Sequence, residues 1–243
     1  MPNAAVGRWP VRTASDLRNI VNKTIRWEAD SAAYAANSLF IADVTDSARG
    51  QNFADQLNDL ATAAGLDLEQ TNVSQIYLDD YLERSTETPI EEAKEDLLDQ
   101  FSQGAPGVGM TIYNGHSSSS RWTFRNLLNA SDVVNFDNDL APTFILPLAC
   151  YTTLYESPSV DTLAHQLLFG SEGGAVALSG AAYLSEYREN AEFAKRLLKN
   201  INKSGASVGQ AILAEKAKMM PWNDMVTNWS YLGDPSLKFA SAD

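Results

Sequence analysis

Thiols and imidazoles are scarce in this chain. Its 243 residues hold one cysteine, Cys150, and two histidines, His116 and His165. A lone cysteine excludes an internal disulfide and any multi-thiolate zinc site, and leaves the redox compartment open. Two histidines and one cysteine are also a poor start for a metal hydrolase. No apolar stretch approaches the roughly 20 residues that a membrane helix needs, so no membrane span is expected. Basic residues are the minority sign, 18 against 31 acidic, for a formal charge of −13. That balance opposes binding to nucleic acid phosphates and to anionic lipid. The Gly-x-Gly-x-x-Gly turn of a dinucleotide-binding oxidoreductase is missing after the early strand. The opening Met1-Pro-Asn-Ala-Ala-Val has neither a basic nor an apolar leader region, so it carries no secretion signal and reads like the start of a segment cut from a longer chain.

What is present is an alternation of short apolar runs with amphipathic stretches. Ala14 to Trp27 repeats apolar residues at helical spacing (Leu17, Ile20, Val21, Thr24, Ile25), with Thr13 and Asp16 as an N-cap pair. Ser38 to Asp43 reads as a buried strand. A helix carrying Phe53, Leu57, Leu60 and Ala64 follows it and stops at Gly65. Strands are expected at Val73 to Leu78, Val108 to Tyr113 and Gly174 to Gly180, the last after the breaker Gly173-Gly174. Helices are expected from Pro89 through Phe101, from Val160 to Phe169 beyond a loop with Pro158, near Glu189 to Asn200, and from Ser207 to Met219. The acidic run from Asp79 through Asp99 is read as a solvated loop and helix face. Strands separated by helices of about a dozen residues predict right-handed crossovers and a mostly parallel sheet with helices on both faces, in one domain.

Two of the apolar runs end in reactive side chains. Met110-Thr-Ile-Tyr-Asn-Gly-His116 delivers a histidine and Thr143-Phe-Ile-Leu-Pro-Leu-Ala-Cys150 delivers the cysteine. Parallel α/β sheets put their active sites at the carboxyl ends of strands, and a thiol nucleophile needs a base beside it to form the thiolate. Each residue also has a plain reading: a lone cysteine after a strand is often a small core residue, and a histidine after glycine a turn residue. His165, within an apolar helical pattern, is read as structural. On pattern alone, a flavodoxin-like binding module is the fallback.

Read together, the segments resemble the gingipain family of cysteine peptidases, relatives of caspases and legumain that share the histidine-then-cysteine order. The likeness rests on Tyr113-Asn-Gly-His116 followed by Trp122, on Leu148-Ala-Cys150, and on Val6-Gly-Arg-Trp-Pro-Val11, Asn22 to Glu28, Phe40-Ile-Ala-Asp43, Gly173 to Ala177 and Leu232-Gly-Asp-Pro-Ser-Leu237, all in family order. It covers nearly the whole chain. The resemblance implies a three-layer caspase-like α/β sandwich, with residues 1–243 as a single catalytic subdomain of a longer chain.

It further implies that Cys150 attacks a peptide carbonyl, that His116 protonates the leaving amine, and that the backbone N–H groups of Ser117 and Cys150 form the oxyanion hole. Asp46, with Asp43 as the alternative, would orient the histidine. Asn52, Ser179, Tyr183 and Tyr187 would line the primary substrate pocket; alternatively Tyr183 and Tyr187, at i and i+4, pack on a helix face. The family has glycine where Ser117 stands, and an acidic residue in its arginine-directed members where Asn52 stands, so an arginine preference is not implied. No cofactor is needed for the chemistry. Family members often carry structural calcium, for which the loop from Asp132 to Asp139 offers oxygen ligands. Protein or peptide substrates, flanking domains, and an extracellular or cell-envelope location follow from the resemblance alone. A sortase-like transpeptidase would use the same Cys150 and His116, and an inactive binding domain would keep the fold without the chemistry.

Overall fold

The structure, a computed structural model, describes residues 4–66, 68, 72–84, 86–156, 160–220 and 222–239, apart from the side chains at 202–204. The loop expected around Pro158 lies outside the described residues.

The first helix, α1 (Ala14–Asp30), starts on the capping box that Thr13 and Asp16 predict. Its buried face is only in part the apolar one the sequence suggests. Ile20, Lys23, Thr24 and Trp27 face inward, while Leu17 and Ile25 are exposed. The reason is Lys23, whose ammonium donates to the carbonyls of Leu167, Leu168 and Gly173 at 3.1, 3.0 and 2.6 Å. The polar head thus turns a lysine into a core residue.

Then come β1 (Ser38–Ala42), α2 (Phe53–Ala64), β2 (Val73–Tyr77), α3 (Leu78–Leu82), α4 (Pro89–Asp99) and β3 (Met110–Asn114). Gly65 ends α2 with a left-handed φ of 76°, a conformation glycine adopts without a steric penalty. Part of the expected acidic loop is the short helix α3. Its Asp79 accepts from the Thr45 hydroxyl at 2.7 Å and so ties down the loop after β1.

Three two-residue strands, β4 (Ser117–Ser118), β5 (Arg121–Trp122) and β6 (Leu128–Asn129), make a small antiparallel sheet. The rest is β7 (Thr143–Leu148), α5 (Leu163–Phe169), β8 (Ala175–Ala181), α6 (Tyr187–Ser204), α7 (Val208–Lys216), α8 (Asp224–Asn228) and β9 (Trp229–Leu232).

The main sheet has the order β2-β1-β3-β7-β8-β9, parallel except for β9. Side chains alternate between its faces, as period-two geometry requires. Phe40, Ile112, Phe144 and Leu146 pack under α2, α6 and α7, whereas Leu39, Ile41, Tyr113 and Ile145 pack under α1, α4 and α5. This is the three-layer α/β sandwich. Strand order reverses at β1, with β2 on one side and β3 on the other, and the carboxyl ends of β1, β3, β7 and β8 form one rim.

Candidate active site

His116 lies two residues beyond the end of β3, across Gly115. A Cβ at Gly115 would stand 2.3 Å from Cβ of Asp43, so only glycine lets β1 and β3 close up here. Asp43 then accepts from the backbone N–H of His116 at 3.0 Å and from that of Val44 at 2.8 Å. Burial pushes its carboxyl above the usual value, against the pull of these hydrogen bonds. Tyr113 donates its hydroxyl to the His116 carbonyl and accepts from the Thr123 N–H at 3.0 Å. Its ring stacks on Trp122 at 4.6 Å. The histidine's main chain is therefore fixed on both sides.

The imidazole sits between Phe53, edge-on at 5.3 Å, and Phe124, stacked at 5.8 Å. Its Nε2 is 3.1 Å from Oδ2 of Asp46. Asp46 also accepts from Arg49 and is held by a backbone bridge to Gln51. The Arg49 hydrogen bond, and after it that of His116, hold the Asp46 carboxyl below its ordinary value despite partial desolvation. A charged acceptor on Nε2 leaves Nδ1 as the nitrogen free for a thiol or a leaving amine. The two aspartates divide the work: Asp46 meets the ring and Asp43 the main chain.

Cys150 comes off β7 in the same way. The parallel register pairs Asn114 with Leu148, so His116 and Cys150 stand equally far past the rim on neighbouring strands. Tyr151, directly after the cysteine, has a left-handed φ of 59°, a strained conformation for a non-glycine residue and of the kind that collects at active sites. The Ser117 hydroxyl donates to the Cys150 carbonyl and joins the two loops. Sγ accepts from the Ser185 N–H at 3.4 Å and faces the Ser185 carbonyl at 3.6 Å. Among the described residues, the thiol has no hydrogen bond to His116, and the Cys150 N–H has no backbone acceptor. Ser117 is not left-handed, so its Cβ brings no backbone strain where the family has glycine.

The expected pocket residues fall into three places. Asn52 caps α2, accepting from the Asp55 N–H at 3.0 Å and donating to the Asp55 carboxylate at 2.7 Å. Tyr187 donates to the Asn52 carbonyl at 2.6 Å and packs edge-on against Phe53, so this pair lies on the histidine side. Tyr183 is on the cysteine side, its ring 6.4 Å from that of Tyr151. It precedes α6, which Tyr187 begins, so the two tyrosines do not share a helix face. Ser179 is fully buried and accepts from the Trp229 indole at 2.8 Å.

Two open cavities flank His116 and Cys150: one of about 310 Å³ includes Asp43, Asp46, His116 and Phe124, and one of about 400 Å³ includes Tyr151, Tyr183, Leu184 and Asp224. Sequence reasoning missed Ser185 beside the thiol, Asn190 behind that serine, and Phe53 and Phe124 around the imidazole. Only Gly115, already part of the quoted motif, carried a local signal for the close approach of the strands.

His165 lies on α5, 4.0 Å from Asp16 and edge-on to Phe169. Burial, then the charge of Arg12, lowers its pKa, which favours a neutral packing residue. In the acidic loop proposed for calcium, Asp132 is engaged by Lys94 at 2.7 Å and Asp139 by Arg26. Among the described residues no group of three or more His, Cys, Asp or Glu is arranged to hold a metal ion. Nor, among the described residues, is any helix long and apolar enough to cross a membrane.

The family model described as peptidase family C25 matches residues 1–240. A search of curated proteins finds no match. Among solved structures, the complex of the pro- and mature domains of RgpB from Porphyromonas gingivalis superimposes with a TM-score of 0.74 at 18% identity, covering 98% of this chain and 57% of that one. The Arg-specific cysteine proteinase gingipain R gives 0.73 at 18% identity, covering 99% and 58%. The separase–securin complex of Saccharomyces cerevisiae gives 0.54 at 14% identity, covering 81% and 12%. The chain thus spans a little over half the length of the first two relatives, and these likenesses speak for the fold.

Proposed function

The chain belongs to peptidase family C25, and from that premise we propose that it is a cysteine endopeptidase in which Cys150 and His116 form the catalytic dyad. The observation that carries the reading is the register. Adjacent parallel strands deliver a thiol and an imidazole at matching height on one rim, and a carboxylate already occupies the far ring nitrogen.

In this reading the Cys150 thiol gives its proton to His116 Nδ1, and the thiolate attacks the scissile carbonyl carbon. The backbone N–H groups of Cys150 and Ser117 receive the oxyanion; losing one such donor costs about 3 kcal/mol of transition-state stabilisation. His116 then passes its proton to the departing amine. A thioester remains on Cys150, and His116 draws a proton from water as that water attacks and releases the acid. Asp46 orients the ring and stabilises the imidazolium.

Substrates are proteins or peptides. Asn52, whose side chain is taken up by Asp55, offers no charge to a substrate arginine. An extracellular or cell-envelope location, and flanking domains beyond this chain, belong to the same proposal. The test is cleavage of a mixed peptide library read by mass spectrometry. The reading predicts cleavage that Cys150→Ala abolishes; cleavage that survives this substitution overturns it.

A further inference from the structure

We propose that Ser185, set by Asn190, is a further catalytic residue that stabilises the Cys150 thiolate; this rests on the peptidase reading above. Ser185 presents three groups to the sulfur. Its N–H lies 3.4 Å from Sγ, its hydroxyl 3.9 Å and its carbonyl 3.6 Å. A neutral thiol can place its proton on the carbonyl. Once that proton has moved to His116, the sulfur is an acceptor only, and the N–H and O–H are the donors that favour the anion.

The hydroxyl's direction is set from behind. Asn190 donates its side-chain N–H to the Ser185 Oγ at 2.8 Å, so that oxygen already accepts and its own proton is left to give. Asn190 is 2% exposed, and its Oδ1 has no hydrogen-bond partner among the described residues. A buried amide with an unpaired oxygen is costly to the fold, and each such group in a folded protein calls for an explanation.

The ordinary explanation for a serine just before a helix is capping, and it does not apply here. Glu186 is the N-cap of α6, and its carboxylate takes the N–H groups of Arg188 and Glu189 at 2.8 and 2.9 Å. What remains for Ser185 is the sulfur.

The experiment compares the chain with its Ser185→Ala, Ser185→Thr and Asn190→Ala variants. It reads the rate of Cys150 alkylation by iodoacetamide from acid to strongly alkaline pH, and kcat and KM on a cleaved peptide. Ser185→Ala should alkylate about tenfold more slowly at neutral pH, the size of a lost hydrogen bond to a charged group. It should converge with the native chain at alkaline pH, where the thiol is ionised in either protein. Its kcat should fall by a similar factor with KM unchanged, Ser185→Thr should restore both, and Asn190→Ala should fall between.

Equal profiles for Ser185→Ala and the native chain would overturn the proposal. So would a loss uniform across pH, which marks mere structural damage. If native Cys150 alkylates no faster than in the denatured chain and cleaves nothing, the peptidase reading itself falls, and this one with it.

Discussion

Asp46 sets its Oδ2 3.1 Å from Nε2 of His116, on the side of the ring away from the nitrogen left for Cys150. Replacing it with asparagine keeps the shape and removes the charge. Asp46→Asn should lower kcat by about a hundredfold, at the low end of what acid–base catalysis contributes, with KM nearly unchanged. Because Arg49 and then His116 depress the Asp46 carboxyl, the stability it lends is in place above its ordinary value of 3.8 and is lost only as pH falls through its lower folded value. Full activity in Asp46→Asn would remove it from the mechanism.

Gly115 is where β1 and β3 come too close for a side chain. A Cβ there would meet Asp43 Cβ at 2.3 Å and the Tyr113 hydroxyl at 2.5 Å, the two groups that hold the His116 main chain. Gly115→Ala should therefore lose most activity together with thermal stability, read by turnover and melting. An alanine variant that melts like the native chain would show that the rim can spread.

Asp43 serves the main chain. Removing its carboxylate leaves the N–H groups of His116 and Val44 without their acceptor, and Asp43→Ala should destabilise the fold by about 2 kcal/mol in denaturant unfolding. Burial raises its folded pKa above 3.8, so the folded chain binds this proton more readily than the unfolded one. Relative to the alanine variant, the native chain should gain stability as pH falls from the raised value toward 3.8.

Lys23 is the buried cation under the end of α5. Lys23→Met strips a donor from three carbonyls and should cost roughly 3 kcal/mol. Burial pushes the ammonium down to about 7 from 10.5, with Asp139 opposing. Between those values the unfolded chain keeps a proton the folded chain has released, so the native chain should gain on the methionine variant as pH rises through that window. A melting difference independent of pH would contradict this.

Much of the fold was legible because its signals are local. The Thr13–Asp16 cap, the Gly65 stop and the apolar runs of β1, β3 and β7 are set by neighbours in sequence. The strands β4 to β6 were not, since two-residue strands owe their form to tertiary contacts and carry no periodicity. The spacing of Tyr183 and Tyr187 suggested one helix, but the Glu186 cap falls between them. Asp46 could be ranked ahead of Asp43 only through the family resemblance, because the two differ in which atoms of His116 they reach, the ring or the main chain. Ser185 gave no signal at all: it is brought to Cys150 by β8 and the turn into α6, and no local pattern encodes that meeting.

Activation of Cys150 by His116 is read out by alkylation of the thiol. Iodoacetamide should label the native chain at neutral pH far faster than the denatured chain, and His116→Ala should lose that advantage while remaining folded. Native labelling no faster than that of the denatured thiol, or rapid labelling that survives His116→Ala, would contradict the dyad.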